Sequence, residues 1–164
     1  MTTPSDVREL LDKLLGQTVW FVNAGGGAGS SFSLSLGRRI LREAPLRNPS
    51  VTDEFRKNGG EFTLYIWCTW RLELADALAS SDQGCNDAQR QLQILIGKSV
   101  ERVEVTGRCF DLQLVIGGVR LSVFCDHVPP EPSFGSNWEL VVDNLATLVA
   151  GPGFAVELTG EAQS

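Results

Sequence analysis

His127 is the single histidine of the chain, and Asp126 precedes it. Cys125 lies two residues before the imidazole, on the same face wherever the backbone is extended. A thiol beside an imidazole is the start of a nucleophilic dyad or of half a zinc site. The dyad needs a third group to orient its base, and the metal needs further ligands at usual spacings. Neither is visible, and Val128-Pro129-Pro130 turns the chain into a loop directly after His127. No nucleophile, base and oxyanion donor assemble from the motifs. The sequence predicts no catalytic residue, no metal site and no cofactor, and leaves an enzyme as the third of three functional readings.

Two other stretches invite chemistry. Gly25-Gly26-Gly27-Ala28-Gly29-Ser30 resembles a phosphate cradle. It lacks the Lys-Ser/Thr of a P-loop, and Ser31 to Leu36 alternates as a strand instead of opening a helix, so a hairpin loop is expected. Arg38, Arg39, Arg42, Arg47, Arg56 and Lys57 form the basic concentration of an acidic chain with net charge −6 and pI ≈ 4.8. That balance disfavours nucleic acid as a partner and favours a basic protein. Cys68, Cys85, Cys109 and Cys125 make no CxxC pair. Cys68 and Cys125 fall on inward strand positions and are expected to be buried, reduced thiols of a cytoplasmic protein. No stretch is apolar enough to read as a signal peptide or a membrane span.

The elements that must position these groups are mainly strands. Phe62, Leu64, Ile66, Cys68, Trp70 and Leu72 share one face of a strand read from Phe62 to Glu73. Thr63, Tyr65, Trp67, Thr69 and Arg71 share the other. Trp70 and Trp138 are expected core anchors. The helices are expected to cover Trp67 and Phe124, leaving Tyr65 to reach solvent. Before this strand, Thr3 caps a helix with Pro4 at its first position, Val7, Leu10, Leu11 and Leu14 form its apolar stripe, and Gly16 ends it. Gln17–Ala24 reads as a strand. Residues 43–60, with two prolines and a Gly59-Gly60 stop, read as a long loop able to lie over one face. Residues 75–86 read as a polar connection, followed by a second helix capped by Asn86 or Asp87. Strands are expected over 100–106, 110–116 and 119–125, with a Gly117-Gly118 hairpin turn. Trp138–Val142 and Phe154–Leu158 are further strands, and Leu145–Ala150 fits either a strand or a helical turn.

An internal echo organises this list. Leu64, Ile66 and Cys68 match Leu121, Val123 and Cys125, each 57 positions on (68 to 125). Asp6–Val19 aligns without gaps with Asp87–Val100 at 81 positions (19 to 100), and Phe32–Gly37 matches Phe110–Leu114 less tightly at 78 (32 to 110). The fold class expected is α+β, mainly antiparallel: a tandem pseudo-repeat of helix plus β-meander, forming a sandwich or a distorted barrel. Residues 1–164 form a single domain on this reading, with repeats at about 5–74 and 86–142 and a C-terminal strand segment.

Leu95-Ile96-Gly97-x-x-Val100, the meander after it and Trp138-Glu139-Leu140 are similar to small uncharacterised bacterial proteins, some of which occur among the immunity proteins of toxin systems. The resemblance implies a non-enzymatic interaction protein and transfers no site residue. The function expected is a cytoplasmic protein-binding module that neutralises a basic, toxin-like partner through Tyr65, Asp126, His127, Glu131 and Phe134. The alternative is a β-barrel carrier of a small apolar ligand.

Overall fold

The computed structural model describes residues 1–24, 30–129, 135–143 and 145–160. Helix α1 (Pro4–Asp12) begins as the sequence requires. Thr3 Oγ1 accepts from the Asp6 amide, and the Asp6 carboxylate accepts from the Thr3 amide in a reciprocal capping box. Strands β1 (Val19–Ala24) and β2 (Phe32–Leu41) pair on either side of the glycine run, which itself lies outside the described residues. A short helix α2 (Asp53–Lys57) leads into β3 (Asn58–Ile66), followed by β4 (Thr69–Glu73) and β5 (Leu78–Ser80). Helix α3 (Cys85–Leu92) precedes β6 (Val100–Thr106), β7 (Asp111–Ile116) and β8 (Val119–Phe124). Strands β9 (Trp138–Val142), β10 (Ala146–Ala150) and β11 (Val156–Gly160) complete the order.

All strand pairings are antiparallel, in two sheets ordered β1-β2-β3-β9-β10-β11 and β5-β4-β8-β7-β6. Among the described residues neither sheet closes on itself, so the distorted barrel gives way to two open sheets with edges at β1, β11, β5 and β6. The α+β class stands, with strand dominant. Among the described residues no helix is long and apolar enough to cross a membrane.

The strand read as continuous from Phe62 to Glu73 is two strands. Ile66 pairs with Trp138 in the first sheet, and Thr69 pairs with Phe124 in the second. Between them the Trp67 and Cys68 amides both turn to the Asn137 carbonyl, at 2.9 and 3.3 Å. Alternation continues unbroken through this corner, because the inner faces of both sheets meet in one apolar cluster. Leu34, Leu64, Leu140 and Leu148 form one register row of that cluster, and Leu72, Leu121 and Leu114 another. Each is fully buried, a contribution of about 1.5–3 kcal/mol per side chain.

Three segments differ from their sequence reading. Residues 53–57 are helical, with Thr52 as a side-chain cap for the Phe55 amide. Gly59 and Gly60 lie inside β3 instead of stopping a loop; a Cβ at Gly60 would meet the Phe62 carbonyl at 2.5 Å, so glycine is what the pairing admits. Gly84 is the N-cap of α3, two residues before the expected Asn86 cap and three before Asp87. Leu145–Ala150 resolves as the strand β10.

Candidate functional site

Asn137 builds the site from beneath. It is fully buried, its amide donates to the Ala150 carbonyl (2.7 Å), and its carbonyl holds the β3–β4 corner. Its Oδ1 accepts from the His127 amide at 2.9 Å. Asp126 and His127 are thereby set against the start of β4. Thr69 donates to Asp126 twice, from its amide to Oδ1 (3.4 Å) and from its hydroxyl to Oδ2 (2.5 Å). His127 Nδ1 lies 3.0 Å from the Ser136 carbonyl. A carbonyl only accepts, so Nδ1 carries the proton and Nε2 is the basic nitrogen of the neutral ring.

These groups line a cleft of about 590 Å³ with Trp67, Cys68, Ser81 and Asp82. Two aspartates line it, and among the described residues its lining contains neither lysine nor arginine. Sequence reasoning missed Ser81 and Asp82. They follow β5, a three-residue strand whose alternation is too short to detect, and β5 reaches the site only by pairing with β4. The cleft does bring an imidazole, a thiol and the three hydroxyls of Ser30, Thr69 and Ser81 together, the arrangement an enzyme reading requires. Two of these hydroxyls are committed to the frame, however. Thr69 donates to Asp126, while Ser81 Oγ accepts from the Trp70 amide (3.1 Å) and donates to its carbonyl (3.4 Å). Carboxylates beside an open aromatic ring suit the seating of a cation better than they suit nucleophilic attack.

Trp67 is that ring. It is 43% exposed and stacks parallel to Tyr65, with centroids 5.7 Å apart. Phe124 is 37% exposed under the Arg71 guanidinium, and Tyr65 is half-buried. The expected order of exposure is therefore reversed. Helices α1 and α3 send Val7, Leu10, Leu11, Ala88 and Leu92 into the shared core instead of over these rings. Tyr65 is brought in beside the corner; Glu131 and Phe134 lie outside the described residues.

The 38–57 segment lies over β1. Phe55 stacks on Phe21 at 4.1 Å and 14°, with the Arg42 guanidinium 5.2 Å from the Phe55 centroid. Three of its five arginines are ion-paired within the chain: Arg38 with Glu61 (3.2 Å), Arg56 with Asp53 (3.3 Å) and Arg39 with Glu54. The Arg38 hydrogen bonds hold the Glu61 carboxyl below its ordinary range.

Cys68, Cys109 and Cys125 are free thiols. Cys68 is buried, while Cys125 is half-buried and donates to the Phe110 carbonyl at 3.3 Å. The Cys68 thiol first, then burial, then the Asp111 carboxylate push the Cys125 pKa up. The thiolate is the reactive form, so Cys125 should alkylate far more slowly than a free peptide thiol at pH 8, checked by mass-resolved iodoacetamide labelling. The linkage has a definite sign. A raised folded pKa gives stability that is full below about 8.5, the unfolded thiol value, and is lost as pH rises toward the folded value. Alkaline melts should therefore show a loss that Cys125→Ser reduces.

Comparison of the chain with protein-family models, with curated proteins and with solved structures gives no match. The site is read from its own geometry.

Proposed function

We propose that this chain is a cytoplasmic protein-binding module for a basic partner, with neutralisation of a toxin-like domain as its most concrete form. One observation carries the reading: a surface cleft with two carboxylates, Asp82 and Asp126, an exposed Trp67 at its side and, among the described residues, no lysine or arginine in its lining. A lysine or arginine of the partner enters it, held by both carboxylates and by the face of the indole. The acidic balance of the chain steers such a partner and raises its on-rate. Three free thiols accord with a reducing compartment. The carrier alternative needs an apolar cavity between the sheets, and fully buried Trp70 and Trp138 occupy that region.

The same reading takes the chain as one domain of two tandem pseudo-repeats, about 5–74 and 86–142 with a C-terminal strand segment, arranged as a sandwich. Registers support it. Irregularities fall between Val19 and Phe21 in β1 and between Val100 and Arg102 in β6, each 81 positions apart (19 to 100). Leu36 faces Val19 and Ile116 faces Val100, so the second strands correspond at 80 (36 to 116) in place of 78. Leu64 faces Leu34 and Leu121 faces Leu114, which keeps the correspondence of 57 (64 to 121). Thr18 and Ser99 bridge with hydroxyls 2.9 Å apart. Around them the Gly16 amide donates to Val100 and the Gly97 amide to Val19, a reciprocal pair at 2.8 and 2.7 Å.

The test is partner capture by wild type and by Asp82→Lys, Asp126→Lys, with Glu157→Lys on β11 as a charge control. The double variant should bind the basic partner at least about tenfold more weakly, a change of about 1.4 kcal/mol or more. Wild-type binding should weaken as salt rises above about 0.1 M. A partner held equally by all three proteins, without salt dependence, overturns the reading.

A further inference from the structure

Trp67 also borders a second cleft, of about 700 Å³, with different chemistry. Its floor is the outer face of β1, β2 and β3, where Asn23, Ser33 and Tyr65 are register neighbours. Asn48 to Thr52 bound it on one side. Asn86 and Gln89 of α3 bound it on another, with Gln93 just beyond the helix. Among the described residues sixteen line it, and none of these is Asp, Glu, Lys, Arg or His. Charged residues make up 21% of the chain and concentrate at surfaces, so this neutrality is a property of the cleft and not a sample of the surface.

The lining selects a ligand class by elimination. A phosphate or carboxylate finds no cation here, and an amine finds no carboxylate. An apolar molecule would set the carboxamides of Asn23, Asn48, Gln89 and Gln93 against surface that cannot hydrogen-bond. Each carboxamide offers both donors and acceptors. Two are partly held in place: Asn48 Oδ1 accepts from the Ser50 amide (2.9 Å), and Gln93 Nε2 donates to the Val22 carbonyl (3.4 Å). Their other ends remain, the amide group of Asn48 and the carbonyl oxygen of Gln93. The parallel Tyr65–Trp67 pair, inclined by 4°, presents a flat apolar surface beside them. A pyranose ring combines one C–H face that rests on an aromatic ring with hydroxyls around its whole periphery. The carboxamides surround the cleft from floor and sides, which fits that periphery better than the single hydrogen-bonding edge of a nucleobase.

We infer that this cleft binds a short neutral saccharide, with a sugar ring stacked on Trp67 and its hydroxyls held by Asn23, Asn48 and Gln89. The site is separate from the acidic cleft apart from Trp67, and the two are distinguished by variants that touch one alone.

The full chain is applied to an array of neutral gluco-, galacto-, manno- and N-acetylglucosamine oligosaccharides, with uronate-bearing saccharides and nucleosides on the same array. Hits are titrated by calorimetry. Neutral oligosaccharides should bind, with little dependence on salt. Trp67→Ala and Gln89→Ala should each weaken binding at least about tenfold while the melting temperature shows both proteins folded. Asp82→Lys should bind the same saccharide as wild type. Failure of every neutral saccharide on the array overturns the inference, as does binding of nucleosides in their place. So does saccharide binding at full strength in both Trp67→Ala and Gln89→Ala.

Discussion

Trp70→Ala should remove about 3–5 kcal/mol of stability, and Trp138→Ala a similar amount. Both indoles are completely buried. Trp70 Nε1 donates to the Ser30 carbonyl at 2.7 Å, and its ring meets Phe32 edge-on with centroids 5.1 Å apart. Trp138 Nε1 donates to the Phe110 carbonyl at 2.9 Å. Alanine leaves a cavity in each case; it removes the indole donor from the Ser30 carbonyl at Trp70, and at Trp138 it leaves the Phe110 carbonyl with only the Cys125 thiol. Domains of this size hold about 5–15 kcal/mol in all, so the double variant should not fold. Phenylalanine keeps most of the volume and loses the donor, so Trp70→Phe should cost about 1–2 kcal/mol from the hydrogen bond and residual misfit. Urea unfolding curves measure all four proteins. A Trp70→Ala cost below about 1 kcal/mol would show that the two sheets do not rest on this ring.

Gly151→Ala should be nearly as damaging, for a different reason. Gly151 has φ +86°, a conformation that costs a β-carbon-bearing residue about 1–3 kcal/mol. Its added Cβ would also lie 2.1 Å from Asn137 Nδ2 and 2.9 Å from Asn137 Cγ. Asn137 has nowhere to retreat, being fully buried and bonded to the corner, to Ala150 and to His127. Displacing it unpairs buried amides at about 1–3 kcal/mol each. The variant should therefore melt about 10 °C or more below wild type, given roughly 2–4 °C per kcal/mol at this chain length. Hydrogen exchange should accelerate at the Trp67, Cys68 and His127 amides. An unchanged melting temperature would mean that Asn137 is not the support of the cleft.

Much of the strand pattern is written in single residues, and the failures have definite causes. Leu64 and Leu72 announce a buried face correctly, yet they belong to different sheets. Period-two alternation reports which way a side chain points, not which neighbour its backbone joins. The hairpin at Gly117-Gly118 was legible because both positions need positive φ, here +54° and +78°. Helix α2 was missed under Pro45 and Pro49, although Thr52 and the acidic-then-basic run Asp53, Glu54, Arg56, Lys57 are ordinary start and stop signals. Asp126 and His127 could be named from sequence, since a lone histidine after a strand is conspicuous. Thr69 and Asp82 could not, because their role depends on a cross-strand neighbour and on a strand of three residues. Trp67 was placed under a helix for want of any signal telling which face the helices choose.

The crossing of the chain between sheets sets how this protein comes apart. Strand β4 leaves β3 to join β8, and β9 leaves β8 to join β3. Each sheet is thus completed by strands from the other half of the chain, as when Phe62 pairs with Val142 and Thr69 with Phe124. Neither half can be peeled away without opening the other's ladder, so partial unfolding is penalised on both sides at once. Such distant pairings must wait for long loops to close, which slows folding and at the same time makes it all-or-none. A surface cleft at the corner where the strand crosses inherits that cooperativity: it is lost only when the whole molecule is lost.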